Sequence, residues 1–257
     1  MMDWARKVNI KTSAEIAIMR EAGRINATVL ATVRDLLKPG INTAELDAAA
    51  EDVLNKFGCV SPFKGYGYPP FPNSITVSIN NELVHGIPSK EKVLKEGDIV
   101  SVDCGTLYKG FVADSAFTGG VGKLSEKASA LLEVTEQSLY QGIDKMRPGN
   151  MTGDVSEAIQ QFVEGHGYHV TREYTGHGVG RQMHEGPQVP NYGKAGTGVL
   201  LTPGIVIAIE PMVLIGTHRT KVAKDNWTVV SADGSLTAHF EHSVAVTKGE
   251  PLILTVL

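Results

Sequence analysis

Cysteine is nearly missing from the sequence. Cys59 and Cys104 are the two present, and neither sits in a C-x-x-C pattern, which excludes a disulfide framework and a thiolate zinc site. Long apolar runs are missing too: none approaches the ~20 residues that span a bilayer. Residues 1–7 lack the order of basic, apolar and small residues that marks a secretory signal. There is no excess of positive charge either. The formal net charge is −4, so no basic surface announces a nucleic acid or an anionic membrane. These absences lead us to expect a soluble protein of the reducing cytoplasm. What is present is ordinary globular composition, 42% apolar and 20% charged, with enough chain to bury a sizeable core and little tendency to disorder.

The chain reads as one unit said twice. Residues 12–37 form an amphipathic helical pattern opened by a capping box of Thr12 and Glu15 and closed by Pro39-Gly40. A second helix is predicted over 43–57. The pattern recurs over about 125–146, closed by Pro148-Gly149, and over 152–164. "LKEGDIVSVD" (94–103) echoes "LTPGIVIAIE" (201–210), an offset of 201 − 94 = 107. The Pro-Gly pairs are offset by 149 − 40 = 109. Two nearly equal offsets point to duplicated halves, about 12–120 and 125–250, within a single domain spanning 1–257. Strands are predicted at 74–80, 99–104, 110–117, 205–210, 227–231 and 237–247. Helices in pairs and strands in runs favour an α+β class over alternating βαβ units. Residues 62–73, rich in proline and aromatics, are expected to form a loop able to line a pocket.

Four carboxylates end or interrupt apolar β-rich runs: Asp103, Asp114, Glu210 and Glu241. A carboxylate carried into a sheet core costs several kcal/mol unless neutralised. Any one of the four could sit at a solvated edge; four together, two of them matched across the echo, call for a shared positive charge. Asp103 and Asp114 are separated by a strand–turn–strand distance, with Lys109-Gly110 as the turn, on adjacent antiparallel strands. "YTGHGVGRQMHEGP" (174–187) adds His177 and His184. Its glycines are expected to leave His177 on open, exposed backbone, and they fail the dinucleotide fingerprint. Val84-His85-Gly86-Ile87-Pro88 and Met183-His184-Glu185-Gly186-Pro187 read as related, so His85 and His184 would flank one site. The other histidines, His166, His169, His218, His239 and His242, are read as surface or packing residues. An oxygen-rich site with one imidazole suits Mn, Fe, Co or Zn.

The fragments "SINNELVHGIP", "GDIVSVDCG", "GFVADSAFT", "YTGHGVG", "MHEGPQVPNYG", "IVIAIEPM" and "WTVVSADGSLTAHFEHSVAVT" together resemble the type I methionine aminopeptidases of the pita-bread (creatinase/aminopeptidase) fold. His184 and Glu210 are only 210 − 184 = 26 positions apart, as in the short, bacterial-like form. The resemblance implies helix pairs packed on a curved antiparallel sheet with pseudo-two-fold halves. It implies two divalent ions held by Asp103, Asp114, His177, Glu210 and Glu241, with Asp114 and Glu241 shared between them. The implied reaction is hydrolysis of the first peptide bond after an N-terminal methionine, with a small second residue preferred. Glu210 would shuttle the proton, His184 would stabilise the oxyanion, and His85 would act near the scissile nitrogen. Phe63, Tyr66, Tyr68, Thr76, Met183 and Trp227 would line the methionine pocket beside His85 and His184. Residues 69–73 look inserted, and Thr76 and Met183 stand where the family commonly has a cysteine and an aromatic. The implied partner is a peptide or nascent-chain N-terminus, with transient ribosome association and a monomeric state. A proline-specific peptidase of the same fold and a non-catalytic peptide-binding module are the rival readings.

Overall fold

The computed structural model describes residues 8–257; residues 1–7, which lack a secretory-signal pattern in sequence, lie outside them. The helices are α1 (Ser13–Asp35), α2 (Thr43–Lys56), α3 (Glu126–Asp144) and α4 (Thr152–Gly165). The strands of the first half are β1 (Thr76–Ile79), β2 (Glu82–Val84), β3 (Ile99–Tyr108) and β4 (Phe111–Gly120). Those of the second half are β5 (His169–Val170), β6 (Thr175–Gly178), β7 (Glu185–Pro190), β8 (Val206–Ile209), β9 (Met212–Leu214), β10 (Thr220–Val222), β11 (Val229–Ser231), β12 (Thr237–His239), β13 (Glu241–Ala245) and β14 (Leu252–Ile253).

The main sheet runs β1-β3-β4-β13-β8-β6-β7, with β14 beside β13. Its centre is the antiparallel pair β4–β13. Outward from there the order 4-3-1 is mirrored by 13-8-6, which is the pita-bread arrangement: mixed α and β, one curled antiparallel sheet and four helices. The helix pairs follow the same symmetry. Helix α1 packs on β3 and β4, and α3 on β8 and β13. The echo in the sequence is an echo in hydrogen bonds. Asn42 bridges Val93 and Met151 bridges Leu200. Gly40 N–H donates to Leu94 O and Gly149 N–H to Leu201 O. At both second-helix starts a carboxylate three residues on accepts the cap N–H: Glu45 from Asn42 and Asp154 from Met151. The capping box of Thr12 and Glu15 forms as predicted.

One buried polar group ties helix to sheet. Asn26 of α1 is fully buried; its amide donates to Cys104 O on β3 and accepts from Ser115 Oγ on β4. It answers a backbone carbonyl and a buried hydroxyl with which an apolar side chain could make no hydrogen bond.

The stretch predicted as one strand over 237–247 is two. Phe240 interrupts it, β12 pairing with β9 and β13 with β4 and β8. The run 205–210 is cut in the same way, because Pro211 has no N–H to give a ladder. The two breaks are neighbours, since His242 faces Ile209 and His239 faces Met212. Glu210 sits in one break and Glu241 begins the strand after the other.

Candidate metal centre

Sheet register alone brings the four carboxylates and His177 to one face. The β3–β4 hairpin turns at Lys109-Gly110, both with positive φ (47° and 77°), the two-residue turn whose twist suits a hairpin. Asp103 therefore faces Ala116, and Asp114 faces Gly105. The two aspartates lie on one face but diagonally, two residues out of step. Ala116 also faces Glu241 across β13, so Asp103 and Glu241 flank it from either side. Counting back from His242–Ile209 puts Glu210 beside Glu241. His177 pairs with Ala208, two residues before Glu210. Because side chains alternate with period two, all five share a face. His177 Nε2 lies 3.5 Å from Glu210 Oε1 and 3.9 Å from Asp114 Oδ2. Asp114, His177 and Glu241 offer ligand atoms all within 4.8 Å of one another.

The glycines around His177 act differently from the expectation. His177 is buried, not exposed. Gly176 and Gly178 serve close strand approach: a Cβ on Gly176 would meet Ala208 O at 2.6 Å, and one on Gly178 would strike Gly186 O.

The electrostatics are those of a cation site. Among the described residues, Asp103 Oδ1, Asp114 Oδ1, Glu241 Oε1 and His239 Nε2 are buried with no hydrogen-bond partner. Among the described residues, no lysine or arginine lines the cavity above them. Burial, and then the charge of Asp114, raises the Asp103 carboxyl well above its usual range. Burial raises Asp114 to about 7, while a hydrogen bond from Asp103 works the other way. Burial and then the neighbouring aspartates raise Glu210 and Glu241 as well. The imidazoles go down. Burial takes His177 to about 3, with the nearby His184 adding to it. Burial likewise takes His239 to about 3 and His85 and His184 to about 4, so these four imidazoles are neutral at pH 7. His177 Nδ1 lies 2.9 Å from Gly178 O. A carbonyl only accepts, so Nδ1 carries the hydrogen and Nε2 keeps its lone pair toward the carboxylates, the usual device for orienting a metal-binding histidine. Orphaned acceptor oxygens and one aimed imidazole nitrogen fit a divalent cation.

A pocket opens over this cluster, lined by Phe63, Tyr66, Phe71, Thr76, His85, Met183, His184 and Trp227. Thr76 faces Asp103 across β1–β3. His85 is held at φ 60°, a backbone state uncommon outside glycine, with its ring edge-on to Tyr174 and Trp227. The His184 ring is tilted against that of His177 with centroids 4.4 Å apart, and its Nδ1 lies 2.8 Å from the Tyr66 hydroxyl. Two expectations are corrected. Tyr68 does not line the pocket; it is 97% exposed. Phe71, from the stretch read as an insertion, takes the wall position, buried and edge-on to Trp227 at 5.2 Å. The loop is fastened there by Trp227 Nε1–H donating to Pro69 O at 2.9 Å, and Gly67 lies so close under the indole that no side chain fits. The sequence pattern assigns His239 to the surface or to packing. Its Nε2 instead points at the cluster, 3.8 Å from Glu210 Oε2 and from Glu241 Oε2. The signal was present: residues i and i+2 of an extended segment share a face, and His239 precedes Glu241 by two.

A buried carboxylate–imidazole cluster gathered on one face of this sheet is the site of a metal-dependent hydrolase, and the class it belongs to is the metallopeptidases. The sequence model of metallopeptidase family M24 matches residues 17–248, and the chain belongs to that family. It is 50% identical over 246 residues to a methionine aminopeptidase of Clostridium acetobutylicum, covering 96% of this chain and 98% of the relative. It is 50% identical over 245 residues to methionine aminopeptidase 1 of Bacillus subtilis, covering 95% and 98%. The crystal structure of a methionine aminopeptidase from Thermotoga maritima superposes with a TM-score of 0.95 at 45% identity, over 98% of this chain and all of that one.

Proposed function

We propose that this metallo-aminopeptidase removes the N-terminal methionine from polypeptides, preferring a small second residue, with two divalent ions (Co, Mn, Fe or Zn) held by Asp103, Asp114, His177, Glu210 and Glu241. The observation that carries the reading is the set of buried, unpartnered carboxylate oxygens flooring an aromatic-walled pocket. Apolar walls suit a thioether side chain, and the fixed polar floor suits the peptide bond beside it. When bound, the ions supply Lewis acidity and a hydrolytic nucleophile at neutral pH.

The remaining chemistry falls to the chain's own groups. Phe63, Phe71, Met183 and Trp227 hold the methionine side chain and exclude water from it. Burial raises the Tyr66 phenol, so it stays protonated. With this phenol as the donor in its 2.8 Å contact with His184 Nδ1, the ring proton lies on Nε2 and His184 can donate to the developing oxyanion. Burial and the nearby His184 hold His85 down to about 4, so it meets the scissile nitrogen as a neutral ring. Glu210 is the most open of the cluster's glutamates, at 14% side-chain exposure against 2% for Glu241. It is the one placed to take a proton and return it to the leaving amine. Residues 1–257 act as one catalytic domain whose halves, about 12–120 and 125–250, each contribute carboxylates. We place the monomer in the cytoplasm, meeting nascent chains in transient association with the ribosome. No described helix is long and apolar enough to cross a membrane.

Hydrolysis of Met-Ala-Ser and of an X-Pro peptide, with and without chelator, tests the reading. Metal-dependent release of methionine from the first is expected, and none after Asp114→Ala. Cleavage of the X-Pro peptide alone, or full activity in chelator, would overturn it.

A further inference from the structure

His239 lies outside the five-residue cluster, yet it is 1% exposed and its Nε2 has no hydrogen-bond partner among the described residues. That nitrogen lies 3.8 Å from Glu210 Oε2 and 3.8 Å from Glu241 Oε2. A ring nitrogen left unpaired in a dry interior is costly, and the two carboxylates facing it favour the tautomer with the proton on Nε2. The base of the side chain is fixed firmly. His239 N–H donates to Thr118 Oγ1 at 2.9 Å, and the Thr118 hydroxyl donates back to His239 O at 2.7 Å. Thr118 is on β4, four residues past Asp114 and on the same face. The strand that carries Asp114 therefore also anchors His239, at the break between β12 and β13.

We propose that His239 is a positioning residue for the metal centre: its Nε2–H donates to the carboxylates of Glu210 and Glu241 and holds their other oxygens toward the ions. The proposal rests on the metal-site reading above. At 3.8 Å neither contact is a hydrogen bond; a glutamate rotation of about 1 Å makes one, and a carboxylate drawn onto a cation has reason to rotate. Direct ligation fits less well. Donor atoms around a shared ion sit about 3 Å apart when metal–ligand bonds are near 2.1 Å. His177 comes to 3.5 Å of Glu210, and the three-residue ligand group contains His177 and not His239. Partners of this kind typically change metal affinity roughly 10–100-fold when removed.

The test is titration calorimetry of the metal-free protein with Mn²⁺, joined to the visible spectrum of the Co²⁺-loaded form. His239→Leu removes the donor, and His239→Gln keeps an N–H at similar reach. For the Leu variant we expect a dissociation constant for one ion raised roughly 10–100-fold and an altered cobalt spectrum. The Gln variant should return to within a few-fold of wild type. Wild-type protein with 15N-labelled histidine gives a variant-independent reading: on adding Zn²⁺ the His239 Nε2–H signal should persist and move downfield. Wild-type affinity and spectrum in His239→Leu would overturn the proposal, and so would loss of the Nε2–H on adding zinc, which would make His239 a ligand. Failure of the wild-type protein itself to bind ions would instead strike the metal-site reading.

Discussion

Tyr66 and His184 are joined by a 2.8 Å contact between the phenol oxygen and Nδ1, although 118 residues separate them in the chain. One comes from the pocket loop and the other from the segment before β7, so a single hydrogen bond links the pocket wall to the polar floor. Tyr66→Phe deletes it and leaves the ring in place. A hydrogen bond of this kind is worth about 1 kcal/mol, or roughly fivefold. We expect kcat to fall by about that factor or more with KM little changed, because the loss is orientation and not pocket volume. Steady-state kinetics on a Met-Ala-Ser peptide checks it; an unchanged kcat would remove Tyr66 from the mechanism.

The pocket wall gives a second prediction, in contrast form. Phe71→Ala opens the face against Trp227 and should raise KM for methionyl peptides about tenfold or more, since burying an aromatic side chain is worth about 2 kcal/mol. Tyr68→Ala, at a position 97% exposed, should leave KM where it was. Equal effects of the two substitutions would contradict the wall assignment.

Metal removal should make stability fall as pH rises. Burial holds the four carboxyls above their ordinary values in the metal-free chain, Asp114 at about 7 against 3.8. A carboxyl with a raised folded-state pKa binds its proton more tightly in the folded state. Stability is therefore lost as pH climbs from about 4, and for Asp114 the loss is complete only above about 7. In chelator the melting temperature should drop by several degrees between pH 5 and 7.5. With ions restored the drop should shrink, because the cation replaces the proton. A chelated protein that grows more stable over that range would contradict the electrostatics.

Lys11 and Glu185 form a buried ion pair at 2.7 Å, 5% and 4% exposed. Glu185 Oε1 also accepts the Arg181 and Gln182 N–H groups, so the pair secures the loop that carries Met183 and His184. Lys11→Met leaves an uncompensated buried charge and should cost about 3–5 kcal/mol, with Lys11→Met/Glu185→Gln recovering part of it. Burial raises the Glu185 carboxyl, but Lys11 and the other donors outweigh it and leave it below its usual value. Its contribution is thus full above about 4.5 and is lost as pH falls below that. Denaturant unfolding at pH 7 and pH 4 measures both; equal destabilisation by Lys11→Met at the two pH values would contradict the pairing.

Much of the site was legible because strands make position arithmetic. Asp103, Asp114, Glu210 and Glu241 announce themselves by ending apolar runs, and period two places them on one face once the strands are known. His239 was legible by the same rule, but only if residues 237–241 are taken as extended through the break at Phe240. Loop geometry was less legible. Proline and aromatic residues in 62–73 predict a pocket loop, yet whether Tyr68 or Phe71 turns inward depends on Trp227, more than 150 residues away. The glycines flanking His177 were visible and their reason was not, since the carbonyls they accommodate belong to β7 and β8. The Lys11–Glu185 pair, 174 residues apart, left no local mark at all.

The central claim is that acids from both halves of the chain and one imidazole enclose a pair of ions beneath the pocket. Anomalous scattering from crystals grown with Mn²⁺ or Co²⁺, recorded at the metal's absorption edge, tests it most directly. Two peaks about 3.5–4 Å apart, bounded by Asp103, Asp114, His177, Glu210 and Glu241, are the expected result. A peak set elsewhere on the molecule, with those five side chains touching no ion at saturating metal, would contradict it.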